Sequence, residues 1–254
     1  MQTYEAESPR SLYALSIKRL SEEIAEVKGK ALWPSPYDQD TPEAAYRFLT
    51  EAWWTLNEAD QSIALVPKKE YIEEFVHEWH GAFSRRQPLI VEKSRRLLIS
   101  WLCRGLETHQ CGLRRTEVHI IDQTHENSAE HLSRIHFSLK QIEQRLPAWH
   151  IKHEHRGGEL VKLVTHVMLP NGSLITQGHQ EAGADQGKGK TIISLEEGSK
   201  YRSCSAFYAQ ACLLTMGKGD GSGGWVNLIC NASPNPDYHS VKGGVKAREV
   251  LGLA

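Results

Sequence analysis

Residues 88–101 read PLIVEKSRRLLISW, an apolar run, a basic turn and a second apolar run in direct succession. Pro88–Glu92 has the composition of a short buried strand. The polar cluster Lys93–Arg96 follows, and the apolar stretch beyond it, to about Glu107, has helical length. A turn that opens into a helix after a buried strand points unpartnered backbone N–H groups at an anion. A lysine there can reach phosphate oxygens, and a hydroxyl in the first helical turn can ligate magnesium. Lys93 and Ser100 supply these two chemistries. Against the consensus GxxxxGK[ST], Ser100 stands at the last position, while Lys93, Leu98 and Ile99 replace the two glycines and the lysine.

On the C-terminal side the pattern keeps alternating. Thr116–Ile121 reads as a strand and Asn127–Leu146 as a long helix that Pro147 stops. Val161–Leu169 and Ser173–Gln177 flank Pro170-Asn171-Gly172, a hairpin signal. Thr191–Leu195 reads as a buried strand, Ser199–Met216 as a helix, and Trp225–Asn231 as a last strand. Strands separated by helices imply a mostly parallel central sheet with helices on both faces, an α/β fold. Ligands of such sheets bind beyond the carboxyl ends of the strands, here just after Glu92, Leu195 and Cys230.

Towards the N-terminus, residues 11–28 have apolar positions at helical spacing. Thr41 followed by Pro42 starts a second helix running to about Trp54, and a third is expected over Tyr71–Trp79. Two domains are expected: residues 1–66, an N-terminal helical subdomain or lid, and residues 67–254, the core.

Apolar and charged fractions of 40% and 24% fit a globular protein, which excludes disorder and coiled coil. A net charge of -1 excludes a histone-like coat for nucleic acid, so DNA contact would need a local basic patch. The five cysteines, Cys103, Cys111, Cys204, Cys212 and Cys230, form no CxxC pair, which suits a reducing compartment. Of the 13 histidines, the closest group is His150, His153 and His155, read as structural or solvated. No apolar run reaches membrane-spanning length, and a cytoplasmic protein is expected.

A second chemical site ends the strand TIISLEE at 191–197. An apolar strand closing on two adjacent acids fits a Walker B element: Glu196 would hold Mg²⁺, and Glu197 would orient and deprotonate an attacking water. The third is Asn231-Ala232-Ser233-Pro234 after a buried strand, where Ser233 could sense the γ-phosphate. Each alone also fits an ordinary solvated turn or strand end; their order along the chain is that of nucleotide-driven motors. A rival phosphate loop, Gly183 to Thr191, ends in Gly-Lys-Thr, with Asp122 as its acid. A β-branched run follows it where a helix should begin, so it reads instead as a glycine loop offering Lys188 and Lys190 to DNA.

Lys93-Ser94-Arg95-Arg96 ending in Ser100-Trp101 resembles the variant Walker A of phage terminase large subunits. Pro170-Asn171-Gly172-Ser173, Gly183-Ala184-Asp185 and Ile192–Glu197 resemble the approach to their Walker B, and Asn231-Ala232-Ser233-Pro234 their coupling motif. The likeness covers roughly residues 70–240. It implies a P-loop NTPase-like ATPase domain that hydrolyses ATP with Mg²⁺ and drives double-stranded DNA into a procapsid from the host cytoplasm. The nucleotide would lie on Lys93, Ser94, Arg95, Arg96, Leu97, Leu98, Ile99, Ser100 and Ser233. Lys93, Arg95, Arg96 and Glu197 would act in catalysis, Ser100 and Glu196 on the metal, and Ser233 in coupling. Leu98 departs from the usual glycine and would narrow the approach to the β-phosphate.

The implied partners are the DNA backbone, a portal protein, a small terminase subunit and further copies in a ring. Lys152, Arg156, Lys188 and Lys190 are candidate DNA contacts, and Gln87, Phe75 and Trp79 candidate adenine neighbours. The family's nuclease domain would follow the coupling motif, and only about twenty residues follow Ser233, so no nuclease activity is expected of this chain. The rival class is a nucleic-acid-binding or scaffold protein with a degenerate, inactive nucleotide site, which the missing glycines favour.

Overall fold

The computed structural model describes residues 31–57, 60–93, 98–156, 166–179, 190–216, 224–231 and 233–250. The helix expected over 11–28 lies outside them. Helix α1 (Pro42–Glu51) starts where Thr41 accepts the Ala44 N–H at 3.2 Å, with proline in the first turn. It stops short of Trp54, which instead begins strand β1 (Trp54–Leu56), antiparallel to β2 (Ile63–Leu65). Helix α2 (Glu70–Arg85) runs two turns beyond Trp79, since Ala82 and Phe83 extend its buried stripe, and the left-handed Arg86 (φ 57°) ends it.

Strand β3 (Leu89–Glu92) leads to helix α3 (Ile99–Leu113), strand β4 (Glu117–Asp122) and helix α4 (His125–Arg145), the last capped by Thr124 on the Asn127 N–H. Strands β5 (Glu154–Arg156), β6 (His166–Met168) and β7 (Leu174–His179) follow, the last two joined through the expected turn, where Gly172 has φ 80°. Strand β8 (Ile192–Glu196), helix α5 (Cys204–Met216), strand β9 (Trp225–Cys230) and helix α6 (Pro236–Val250) complete the described chain.

Residues 199–216 are not one helix, contrary to the sequence expectation. Gly198–Lys200 is a single 3₁₀ turn, and α5 begins at Cys204. The Asn235 amide takes the Ser199 and Tyr201 carbonyls at 2.9 and 3.1 Å, removing them from helical bonding. Helix α6 was not anticipated. Its start is nevertheless conventional: the Asn235 side chain accepts the Asp237 N–H at 3.0 Å and Pro236 fills the first position.

The main sheet has seven strands in the order β3-β9-β8-β4-β7-β6-β5. The pairs from β3 through β7 are parallel, and β7-β6 and β6-β5 are antiparallel. Alternation along the strands divides the core by face. Ile192, Trp225 and Ile229 join α1 to α4 in one cluster, whereas Ile193, Leu195, Val226, Leu228 and Cys230 join α5 and α6 in another. Helix α6 is also tied to the edge strand: Tyr238 Oη donates to Glu92 Oε1 at 2.8 Å and Lys242 Nζ to Oε2 at 2.6 Å. Among the described residues, no helix is long and apolar enough to cross a membrane.

Candidate active site

The parallel order brings the carboxyl ends of β3, β9 and β8 side by side, with β9 between the other two. The Lys93 N–H donates to the Cys230 carbonyl at 2.8 Å, extending the β3-β9 ladder by one residue. Its ammonium then reaches across the end of β9. Lys93 Nζ donates to Ser100 Oγ at 2.8 Å and lies 3.6 Å from Glu197 Oε1 and 3.9 Å from Glu196 Oε2. Ser100 Oγ in turn donates to Glu196 Oε2 at 3.3 Å. Lys93, Ser100, Glu196 and Glu197 therefore share one spot although about a hundred residues separate the pairs.

The two acids sit in different surroundings. Glu196 is 1% exposed and faces α3. Glu197 has left-handed backbone (φ 51°), which turns the chain away from the strand. Asn231 Nδ2 donates to both of its oxygens at 3.1 and 3.2 Å, and Lys200 Nζ lies 2.9 Å from Oε2. Ser233 does not join this group directly; its hydroxyl donates to the Ser199 carbonyl at 3.3 Å, one short turn beyond Glu197.

Beneath Glu196 lies a buried polar layer. Arg104 forks onto Glu107, with Nε and Nη2 each 2.8 Å from a carboxylate oxygen, and its Nη1 lies 3.1 Å from Glu196 Oε1. Glu107 also accepts the Ser194 hydroxyl, and Ser194 accepts Asn227 Nδ2 at 3.0 Å. Burial works against the Arg104 charge, but Glu107 and Glu196 more than offset it and raise its pKa above the ordinary arginine value. Desolvation pushes the Glu107 carboxyl up against the pull of Arg104; with the fork at 2.8 Å, the ion pair is the form that the geometry holds.

Two expected residues, Trp79 and Lys190, are buried away from the roles expected of them. Trp79 is wholly buried and packs against Phe83 and Trp225, so it cannot face an adenine. Phe75 packs half-buried against the same core, and the Gln87 side chain accepts Arg85 Nε at 2.9 Å. Lys190 is 5% exposed, which removes it from a DNA-facing surface; Lys152 is exposed, and Arg156 is in β5. Ser94, Arg95, Arg96, Leu97 and Lys188 lie outside the described residues. Leu98 and Ile99 open α3, Leu98 with φ 59° in the left-handed region that glycine fills readily. Asp122 ends β4 beside β8, 3% exposed and 3.2 Å from His131 Nε2.

Sequence reasoning missed Arg104, Glu107 and Lys200, and it named Asn231 only as the first residue of the coupling motif, without a role at Glu197. The available signals were a charged pair three residues apart inside the apolar run of α3, a lysine three residues after Glu197, and an amide at the end of β9. Two hard oxygen donors, Ser100 Oγ and Glu196 Oε2, suit Mg²⁺, which takes one or two protein oxygens and fills its remaining positions with water and phosphate. No group of three or more His, Cys, Asp or Glu gathers to hold a metal by itself among the described residues.

A parallel sheet with one strand inserted between the turn-bearing strand and the acid-bearing strand, and helices on both faces, defines a P-loop NTPase-like α/β fold. The fold is that of the HK97 bacteriophage large terminase, with a TM-score of 0.61 at 13% identity over 82% of this chain and 42% of that one. The chain thus spans less than half the length of that protein. The large terminase ATPase domain of a Thermus phage aligns at a TM-score of 0.47 and 12% identity, covering 68% of this chain and 69% of that one. The large terminase of a thermophilic bacteriophage in complex with ADP aligns at 0.42 and 11%, covering 65% and 39%. No protein-family model and no curated protein matches the sequence.

Proposed function

We propose that the chain is the ATP-hydrolysing motor domain of a viral terminase large subunit, moving double-stranded DNA into a procapsid in the host cytoplasm. One observation carries this reading: Lys93, Ser100, Glu196 and Glu197 converge from two distant segments beyond the carboxyl ends of β3 and β8. Lys93 binds phosphate oxygens, Ser100 and Glu196 hold Mg²⁺, and Glu197 takes a proton from the attacking water. Bound Mg²⁺ supplies positive charge to the phosphates as they separate. Asn231 and Lys200 hold the Glu197 carboxylate in place until nucleotide arrives, and Ser233, through the Ser199 carbonyl, senses the loop that carries Glu197. DNA contact is to the backbone and hence salt-sensitive. A portal protein, a small subunit and further copies in a ring are the partners.

The test is Mg²⁺-dependent ATP hydrolysis by the wild type and by Glu197→Gln. We expect about 10²–10⁴-fold loss of turnover with ATP binding retained, the usual contribution of a positioned base. Unchanged turnover in Glu197→Gln overturns the assignment. A binding or scaffold role with an inactive site is favoured by one observation, a leucine in left-handed backbone where the consensus has glycine; nucleotide binding without turnover in the wild type would support it.

A further inference from the structure

We infer that Arg104 is the positioning residue for the metal-holding carboxylate, setting which oxygen of Glu196 faces the nucleotide. The inference rests on the reading of Glu196 proposed above.

A glutamate's terminal torsion is broad, so without a partner its two oxygens exchange places at little cost. Here they are distinguished. Oε1 lies 3.1 Å from Arg104 Nη1, and Oε2 faces Ser100 and Lys93. Arg104 follows Ser100 by four residues on α3, so the two side chains share one helix face, and Glu196 lies against both. The guanidinium has no freedom of its own. Glu107 holds it by a hydrogen bond from Nη2 and an ion contact at Nε, both 2.8 Å, Ser194 holds Glu107, and Asn227 holds Ser194, so that α3, β8 and β9 together fix the charge.

Stability does not account for this arrangement. Replacing a buried ion triad by apolar side chains of similar volume is often neutral or stabilising. Arg104, Glu107 and Glu196 are at most 1% exposed, under a face that is otherwise apolar at Ile192, Trp225 and Ile229. What the triad does supply is direction. Glu107 shares the Arg104 guanidinium with Glu196, so that Oε1 of Glu196 is engaged and Oε2 is left aimed at the place a divalent cation would take. A lysine could not replace Arg104, because a single ammonium cannot fork onto one carboxylate and reach a second in fixed geometry.

Removing Arg104 alone strands two buried acids. The informative variants are therefore Arg104→Met/Glu107→Met, which removes the pair together, and Arg104→Lys, which keeps a buried cation and stays readable if the double variant does not fold. The measurement is binding of a fluorescent ATP analogue by the whole chain across a Mg²⁺ titration and in EDTA. Groups that orient a metal ligand through its other atom typically matter 10–100-fold for metal affinity. We expect the half-saturating Mg²⁺ concentration to rise about tenfold or more in the double variant and less in Arg104→Lys, with binding in EDTA unchanged. An unshifted Mg²⁺ dependence in a folded variant, beside a Mg²⁺-dependent wild type, overturns the positioning role alone. Equal weakening with and without Mg²⁺ overturns it too, since that is the mark of a structural residue. A wild type whose nucleotide binding ignores Mg²⁺ overturns the reading of Glu196 and this inference together.

Discussion

Helix α3 is buried on nearly every side, yet its two flanks are built from opposite materials. One flank faces aromatic rings. Trp33 lies so close that a Cβ on Gly112 would fall 2.0 Å from its indole, and Gly105 is similarly pressed by Leu49 and Trp53. Phe48 stacks near Trp33, Trp53 and His109, with ring centroids 4.8, 6.0 and 5.1 Å away. The other flank faces β8 through Arg104 and Glu107. Interdigitated rings gain both transfer free energy and dispersion from every contact. Buried ions recover little beyond their desolvation cost. The contrast places the larger share of stability on the aromatic flank and leaves the charged one free for the role proposed above.

The largest effect should come from truncating the aromatic flank. Trp33→Ala is expected to cost about 3–5 kcal/mol in denaturant unfolding, with nucleotide binding retained while the protein is folded. A Trp33→Ala chain of normal stability would break the division. The mirror experiment is Lys93→Met. Losing one preorganised charge from a transition-state site costs about 10²–10³-fold in rate, roughly 2.7–4 kcal/mol, and here the thermal midpoint should stay where it was. A large drop in that midpoint would mean that the charged group holds the fold as well.

Acid titration samples the aromatic flank and the neighbouring helix α4. Burial lowers His109, on the aromatic flank, to about 4 and His131, beside Asp122, to about 3. The unfolded chain takes up these protons near pH 6.5 while the folded chain refuses them, so stability falls as pH drops from about 6.5 towards 4. Each histidine contributes a slope of at most about 1.4 kcal/mol per pH unit. Unfolding measured at several pH values should lose about half of that slope in His109→Gln; an unchanged slope would place the sensitivity elsewhere. The smallest effect is expected at Leu98→Gly. Relief of left-handed backbone, about 1 kcal/mol, opposes the loss of the leucine's contacts with the core, so stability moves little while nucleotide binding tightens. Weaker binding would show that the leucine does not narrow the approach.

The strands that frame the site were legible because each is an apolar run closed by polar residues. Leu89–Glu92, Ile192–Glu196 and Trp225–Cys230 lie within a residue of their expected bounds. That Lys93 would meet the two acids was expected from the order of the motifs along the chain and their family resemblance, not from any strand pairing. What could not be read was lateral. Nothing in a linear pattern says that β9 inserts between β3 and β8. A lone Arg104 and Glu107 three residues apart look like an exposed helix pair, and only the depth of α3 reveals them as buried. Trp79 misled for the converse reason: an aromatic near the presumed nucleotide pocket turned out to be filling the core. The break before Cys204 depends on Asn235, a residue far along the chain that captures carbonyls the helix would otherwise use.

The link between α6 and Glu92 bears on where this domain can be cut. Tyr238 and Lys242 cap a carboxylate 146 and 150 positions upstream, and Tyr238 and Val241 share a cluster with Leu228 and Cys230. A recombinant fragment ending before Pro236 would leave those apolar groups bare beside β3, the edge of the sheet among the described strands, an arrangement that invites strand-to-strand association. Soluble expression of this unit should therefore demand the residues up to at least Lys242, even though Lys93, Glu196 and Glu197 all lie well before them.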